Sequence, residues 1–136
     1  MIRFTVPGRP IPTARPRVLK TGRTYLPARS RNAQKAVREA ALEATGSQTP
    51  FWPEQALYVG IMACFPYPKG TPKKNIEKGW VPLTGRPDLD NLAKTVLDGC
   101  NDVVYADDAQ IVELTVSKYR VEKAEDVGLY VEISTE

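Results

Sequence analysis

The chain has 136 residues, 42% of them apolar, with 19 Lys and Arg against 16 Asp and Glu and no histidine. That length suits one domain, residues 1–136, around one core, and it leaves no room for the fingers and thumb of a polymerase. Without histidine, zinc sites of the His/Cys type and histidine-based catalysis are excluded, so any metal would be oxygen-bound.

Ile2–Val6 reads as a first strand. Residues 7–30 then form a proline-rich basic arm, because proline blocks helix and central strand alike, with a small hairpin expected at Lys20–Arg23. Ser30 is placed to cap a helix whose Ala33, Ala36, Val37, Ala40, Ala41 and Ala44 recur at helical spacing and which Gly46 stops. Arg31, Lys35 and Arg38 fall on its other side. Ala56–Phe65 is nearly all apolar, as in a strand covered on both faces. It is also too short to span a bilayer, and Met1–Phe4 does not read as a signal peptide. Residues 66–87, rich in Pro, Gly and Lys, are expected to be a long mobile loop. A second helix is expected over Asp90–Cys100, burying Leu89, Leu92, Val96, Leu97 and Cys100. Gln110–Arg120 and Val127–Ile133 alternate as strands about a short turn, a C-terminal β-hairpin. The fold class is α/β (α+β): a mixed sheet of about four strands with two main helices. Cys64 and Cys100 read as free core thiols.

The charge is lopsided. Residues 1–40 hold ten bases, eight of them Arg, against one acid, Glu39; the rest of the chain holds nine bases and fifteen acids. Arg suits bidentate phosphate contacts, so Arg15, Arg17, Lys20, Arg23, Arg31 and Arg86 are candidate nucleic-acid contacts. In "RPDLDNLAK", Asp88 and Asp90 stand at the mouth of the second helix. Taken singly they fit helix capping, and Asp90, Lys94 and Asp98, each four apart, fit a solvated ion-pair ladder. Asp98, two turns from the mouth, reads as a bystander. A calcium loop is excluded, since Leu92 and Ala93 stand where an oxygen ligand and a glycine are needed. "YADD" resembles the Tyr-x-Asp-Asp of reverse transcriptases, which the length rules out. The chain from the helix to the next strand is short, so Asp107 or Asp108 is expected near the helix mouth. Three gathered carboxylates would repel one another and call for Mg²⁺ or Mn²⁺. On these residues alone, a magnesium-dependent nuclease and a non-catalytic nucleic-acid binder stand level. Lys118, ten strand residues and about 33 Å beyond Asp108, reads as a surface residue.

"PDLDNLAKTVLDGCNDVVYADDAQI" resembles the signature of the RusA family of Holliday-junction resolvases (crossover junction endodeoxyribonucleases). It has Asp-x-Asp-Asn, a lysine four after the second Asp, Leu-Asp-Gly, then Asp-Asp-x-Gln-Ile. "PGRPIPTARPR" with "GRTY" looks like the entrance segment of Gram-positive and phage-borne members. The resemblance implies that Asp88, Asp90 and Asp108 bind the metal and that Lys94 is the catalytic lysine. Asn91 and Asp107 would have supporting roles. It further implies a homodimer that pairs nicks across four-way branched DNA in recombination and repair. The cofactor would be Mg²⁺, with Mn²⁺ able to substitute, and no nucleotide or organic cofactor. The setting would be the cytoplasm of a bacterium, or a phage-encoded protein, with no membrane. Residues 66–86 depart from the pattern as an insertion-like loop.

Overall fold

A computed structural model describes residues 1–136. Its secondary elements are β1 (Ile2–Pro7), β2 (Arg17–Val18), β3 (Thr24–Tyr25), α1 (Ala28–Ala44), β4 (Leu57–Pro66), β5 (Trp80–Pro82), α2 (Leu89–Cys100), β6 (Ile111–Val121) and β7 (Gly128–Ser134). The main sheet has five strands in the order β1-β7-β4-β6-β5, antiparallel except for the parallel β4–β6 pair. β2 and β3 form the expected hairpin in the arm; its turn closes with Leu19 N donating to Arg23 O at 2.8 Å, and Gly22 supplies the positive φ of 86°.

Both helices contribute to one core. Val37 and Ala41 of α1, and Leu92, Val96 and Cys100 of α2, join Val59, Ile61, Ala63 and Phe65 of β4 and the inward side chains of β7. α1 and α2 approach closely at Gly99, where an added Cβ would stand 2.7 Å from Val37 Cβ. Gly46, with φ of 66°, follows the end of α1, as its sequence suggests. Ser30 does not cap that helix. Pro27 holds the N-cap position, and the buried Ser30 hydroxyl accepts from Ala14 N at 2.9 Å, tying the arm to α1.

Several expectations need correction. β4 is buried on one face only in its first half: Tyr58 and Met62 alternate with buried Leu57, Val59 and Ile61 and are exposed. The helices cover the other side, so an apolar run here marks a strand without marking two covered faces. On β6, Leu114 shares the register of buried Val59 yet is exposed, and Val112, at the shift in register with β4, is exposed as well. Leu89 is exposed at the start of α2. The two C-terminal strands run antiparallel about their short turn, but β4 lies between them and takes their hydrogen bonds.

The largest correction concerns residues 66–87, which fold onto the sheet instead of forming a free loop. A 3₁₀ turn at Lys73–Asn75 leads to β5, the fifth strand, which pairs with β6. Gly79 N donates to Glu122 at 3.0 Å, and Arg120 Nη1 donates to Pro66 O at 2.6 Å. The Trp80 ring lies between Tyr119 and Tyr130, centroids 5.8 and 5.9 Å away, on strands either side of β4. Cys64 and Cys100 are free and buried, and burial pushes their thiols up to about 11 and about 12.

Candidate active site

The root of the basic arm is fixed between the helices. Thr13 N donates to Asn91 O at 3.0 Å, the Thr13 and Thr95 hydroxyls meet at 2.8 Å, and Thr95 Oγ1 bonds Ile11 O at 2.9 Å. These contacts bring the arm to the first turns of α2. A cleft of about 430 Å³ opens there, lined by Arg17, Arg29, Arg86, Asp88 and Asn91. Asp88 holds the N-cap position with an extended backbone (φ −74°, ψ 149°), but its side chain makes no capping hydrogen bond. Its oxygens are left for another partner. Asp90 and Lys94 follow on the exposed side of α2, and the ladder expected through them does not form. The chain has one ion pair, Arg3 with Glu132 at 2.6 Å, at the far edge of the sheet.

Asp108 lies elsewhere. Tyr105 is fully buried and its hydroxyl donates to Leu97 O, which pins residues 101–107 against the last turns of α2. Burial and the charges of Cys100, Asp108 and Asp98 raise the Tyr105 phenol far above its ordinary value. Asp107 caps a 3₁₀ turn, accepting from Ala109 N at 2.9 Å. Gln110 closes that turn by accepting from Ala106 N and Asp107 N, and its amide donates to Trp52 O and Gln55 O. Asp108 then lines a shallow hollow with Gln34, Leu97, Asp98 and Asn101. Lost hydration, a hydrogen bond with Asp107 and the charges of Asp107 and Asp98 raise its carboxyl above the usual value.

The short connection therefore returns along the C-terminal half of α2, not to its mouth. Asp88 and Asp98 are about 15 Å apart along the axis at 1.5 Å per residue. The carboxylates form two groups, Asp88 with Asp90 and Asp98 with Asp107 and Asp108. No three acids close around a single ion. Asp98, read from sequence as a bystander, is the near neighbour of Asp108. Lys118, also read as inert, does lie away from Asp108, but its ammonium bonds the carbonyls of Gly85 and Pro87, next to Asp88. Arg29 also escaped the sequence reading; its nearness to the cleft depends on how α1 starts. Arg15, Lys20, Arg23 and Arg31 are exposed on the arm, its hairpin and the first turn of α1.

Basic side chains around free carboxylates, on a helix carrying an unpaired lysine, suit the cleavage of a phosphodiester. The class is a DNA endonuclease. Residues 7–134 match the family described as Endodeoxyribonuclease RusA, and the chain belongs to that family of Holliday-junction-resolving hydrolases acting on DNA. The chain is also 33% identical over 130 residues to the uncharacterized protein YqaN of Bacillus subtilis (strain 168), covering 90% of this chain and 89% of that one.

An oxygen-only donor set suits a hard divalent cation. Asp88 and Asp90 are exposed, engaged by neither cap nor ion pair, and offer only oxygen. Mg²⁺ is ordinarily held by one or two carboxylates, with waters and substrate phosphates completing its shell. The Asp88–Asp90 end of α2 fits that demand.

Proposed function

We propose that this endonuclease is Mg²⁺-dependent, with Mn²⁺ able to substitute. In this reading it acts as a homodimer that resolves four-way junctions by paired symmetric nicks in recombination and repair. The observation that carries the reading is Asp88, which heads α2 without capping it. A carboxylate left off its own helix amides, beside Arg17, Arg29 and Arg86, fits a site that takes a phosphate and a cation together. Asp88 and Asp90 would hold the ion, which would polarise the scissile phosphate and activate a water. Lys94, one turn along the exposed face, would offset charge on the leaving oxygen. Asn91, whose backbone carbonyl anchors Thr13, would present its amide to the cleft. Asp108 joins the proposal through its motif and sits in the second acidic group, with Asp107 as the cap that holds it.

The basic residues Arg15, Arg17, Lys20, Arg23, Arg31 and Arg86 would contact backbone phosphates, which set position and not base sequence. No helix is long and apolar enough to cross a membrane. The cytoplasm of a bacterial host, including one carrying a phage copy, is the setting we propose.

The test compares a labelled four-way junction, linear duplex and single strand, each with Mg²⁺ and with EDTA. Asp90→Asn keeps the shape and removes one charge. We expect it to lower junction cleavage at least about a hundredfold, because disturbing even the outer shell of a metal costs tenfold to a hundredfold. Junction binding should be intact or tighter. Wild-type cutting by Asp90→Asn would remove Asp90 from the site. Tight junction binding with no cutting by the wild-type protein in either metal would leave a binding module.

A further inference from the structure

We propose that Lys118 is a positioning residue for Asp88, a role that rests on the reading of Asp88 as a cation ligand. Lys118 lies toward the C-terminal end of β6 on the register that faces the helices, beside buried Ala63. It is half-buried and pairs with no carboxylate. Its ammonium donates instead to Gly85 O and to Pro87 O, the latter at 2.8 Å, and its backbone carbonyl accepts from Leu83 N at 3.2 Å. One residue of the sheet thus grips residues 83–87 at three points, and the next residue in the chain is Asp88.

The grip has a chemical consequence. An ammonium has three donors and no acceptor, and hydrogen bonds from a charged donor are stronger than neutral ones. Two of those donors turn the Gly85 and Pro87 carbonyls toward β6. The chain then enters α2 from that side, with Asp88 extended and its carboxylate off the first-turn amides. An Asp at this position ordinarily folds back onto those amides. Lys118 holds it away from them and aims it at the cleft shared with Arg86.

The experiment uses Lys118→Met and Lys118→Gln in the full chain, with Asp88→Asn as reference. Three quantities are measured: the Mg²⁺ concentration giving half-maximal junction cleavage, Mn²⁺ binding to the free protein by electron paramagnetic resonance, and amide exchange over residues 84–88. We expect about tenfold more Mg²⁺ to be needed, as for loss of an outer-shell partner. Mn²⁺ affinity should fall in parallel and exchange over residues 84–88 should quicken. Junction affinity in EDTA should be unchanged, and saturating Mg²⁺ should restore most of the rate. A rate loss that Mg²⁺ does not restore, with Mn²⁺ binding unchanged, overturns the proposal by making Lys118 act elsewhere. If Asp88→Asn is inactive while both Lys118 variants behave as wild type, the clamp alone fails. If Asp88→Asn cuts normally, the reading of Asp88 fails and Lys118 has nothing to position. Should the Met variant not fold, the Gln variant, which keeps a donor without the charge, carries the same comparison. Unfolding of both overturns the proposal in favour of a core contact.

Discussion

Asp88 and Asp108 come from one motif and meet opposite local conditions. Asp88 sits at the N-terminus of α2 in a cleft lined by Arg17, Arg29 and Arg86. Asp108 sits beside Asp98 and Asp107, and lost hydration, with the hydrogen bond to Asp107 and the two neighbouring charges, raises its carboxyl. The sign for stability follows. A carboxyl raised in the folded state binds more protons there than in the unfolded chain as pH rises past its ordinary value of about 3.9. It therefore costs stability at neutral pH and costs nothing once both states are protonated. Asp108→Asn should accordingly melt higher than wild type at pH 7 in EDTA, and the gain should vanish below the ordinary carboxylate range. Equal melting curves at both pH values would place Asp108 in bulk solvent. The residue types of the site were legible in the sequence because an oxygen-only donor set, an unmatched run of arginines and a lysine at helical spacing are local properties. The grouping of the acids was not. It depends on Tyr105 binding the Leu97 carbonyl, a contact that looks like an ordinary core aromatic in the sequence.

The elements show the same boundary between local and distant causes. α1 and α2 are legible because an apolar stripe with a glycine stop, or an acid at the mouth, is written within one helical stretch. β5 is not, since three residues among prolines and glycines carry no periodicity, and Trp80 gains its place only by lying across β4 between Tyr119 and Tyr130. Nor can the insertion of β4 between the C-terminal strands be read from their turn. Gly99 illustrates a sequence signal that needs the partner helix to interpret. A Cβ there would meet Val37 Cβ and Cγ1 at 2.7 Å and Gln34 O at 2.9 Å. Gly99→Ala removes a poor helix former and still should destabilise, because overpacking at a helix contact costs about 1–3 kcal/mol against about 1 kcal/mol gained in propensity. Chemical unfolding would show a lower midpoint at unchanged slope. Gln34 donates to Asp98 at 3.3 Å, so the same substitution should also lower cleavage if the second acidic group takes part. A stabilised Gly99→Ala protein would mean that the two helices part easily.

On the whole molecule, the basic arm has a fixed root and an exposed tip. Arg15, Arg17, Lys20 and Arg23 are exposed and in no ion pair. Replacing two of them with Ala should flatten the dependence of log K for junction binding on log salt by about 1.8, at about 0.9 per lost phosphate contact. An unchanged slope would assign them to solvent. The same scale decides how the two acidic groups act. Mg²⁺ binds oxygens at about 2.1 Å, whereas Asp88 and Asp98 stand about 15 Å apart along α2, with Asp108 beside Asp98. If Asp88 and Asp108 serve the same reaction, either two copies of the chain supply them to one site or residues 101–108 move toward the mouth of α2. A symmetric dimer repeats both groups and matches the two-fold symmetry of a four-way junction. Asp88→Asn and Asp108→Asn should each be inactive alone. Mixed and re-annealed, their heterodimers would carry one site with both changes and one with neither. We expect those heterodimers to cut one strand of the junction and not its symmetric counterpart, leaving a 5′-phosphate and a 3′-hydroxyl. Mixtures as inactive as their parents would place both acids in one chain's site, reached by a movement of residues 101–108. A protein that sediments as a monomer, or cuts linear duplex as well as junction, would point to a less selective nuclease.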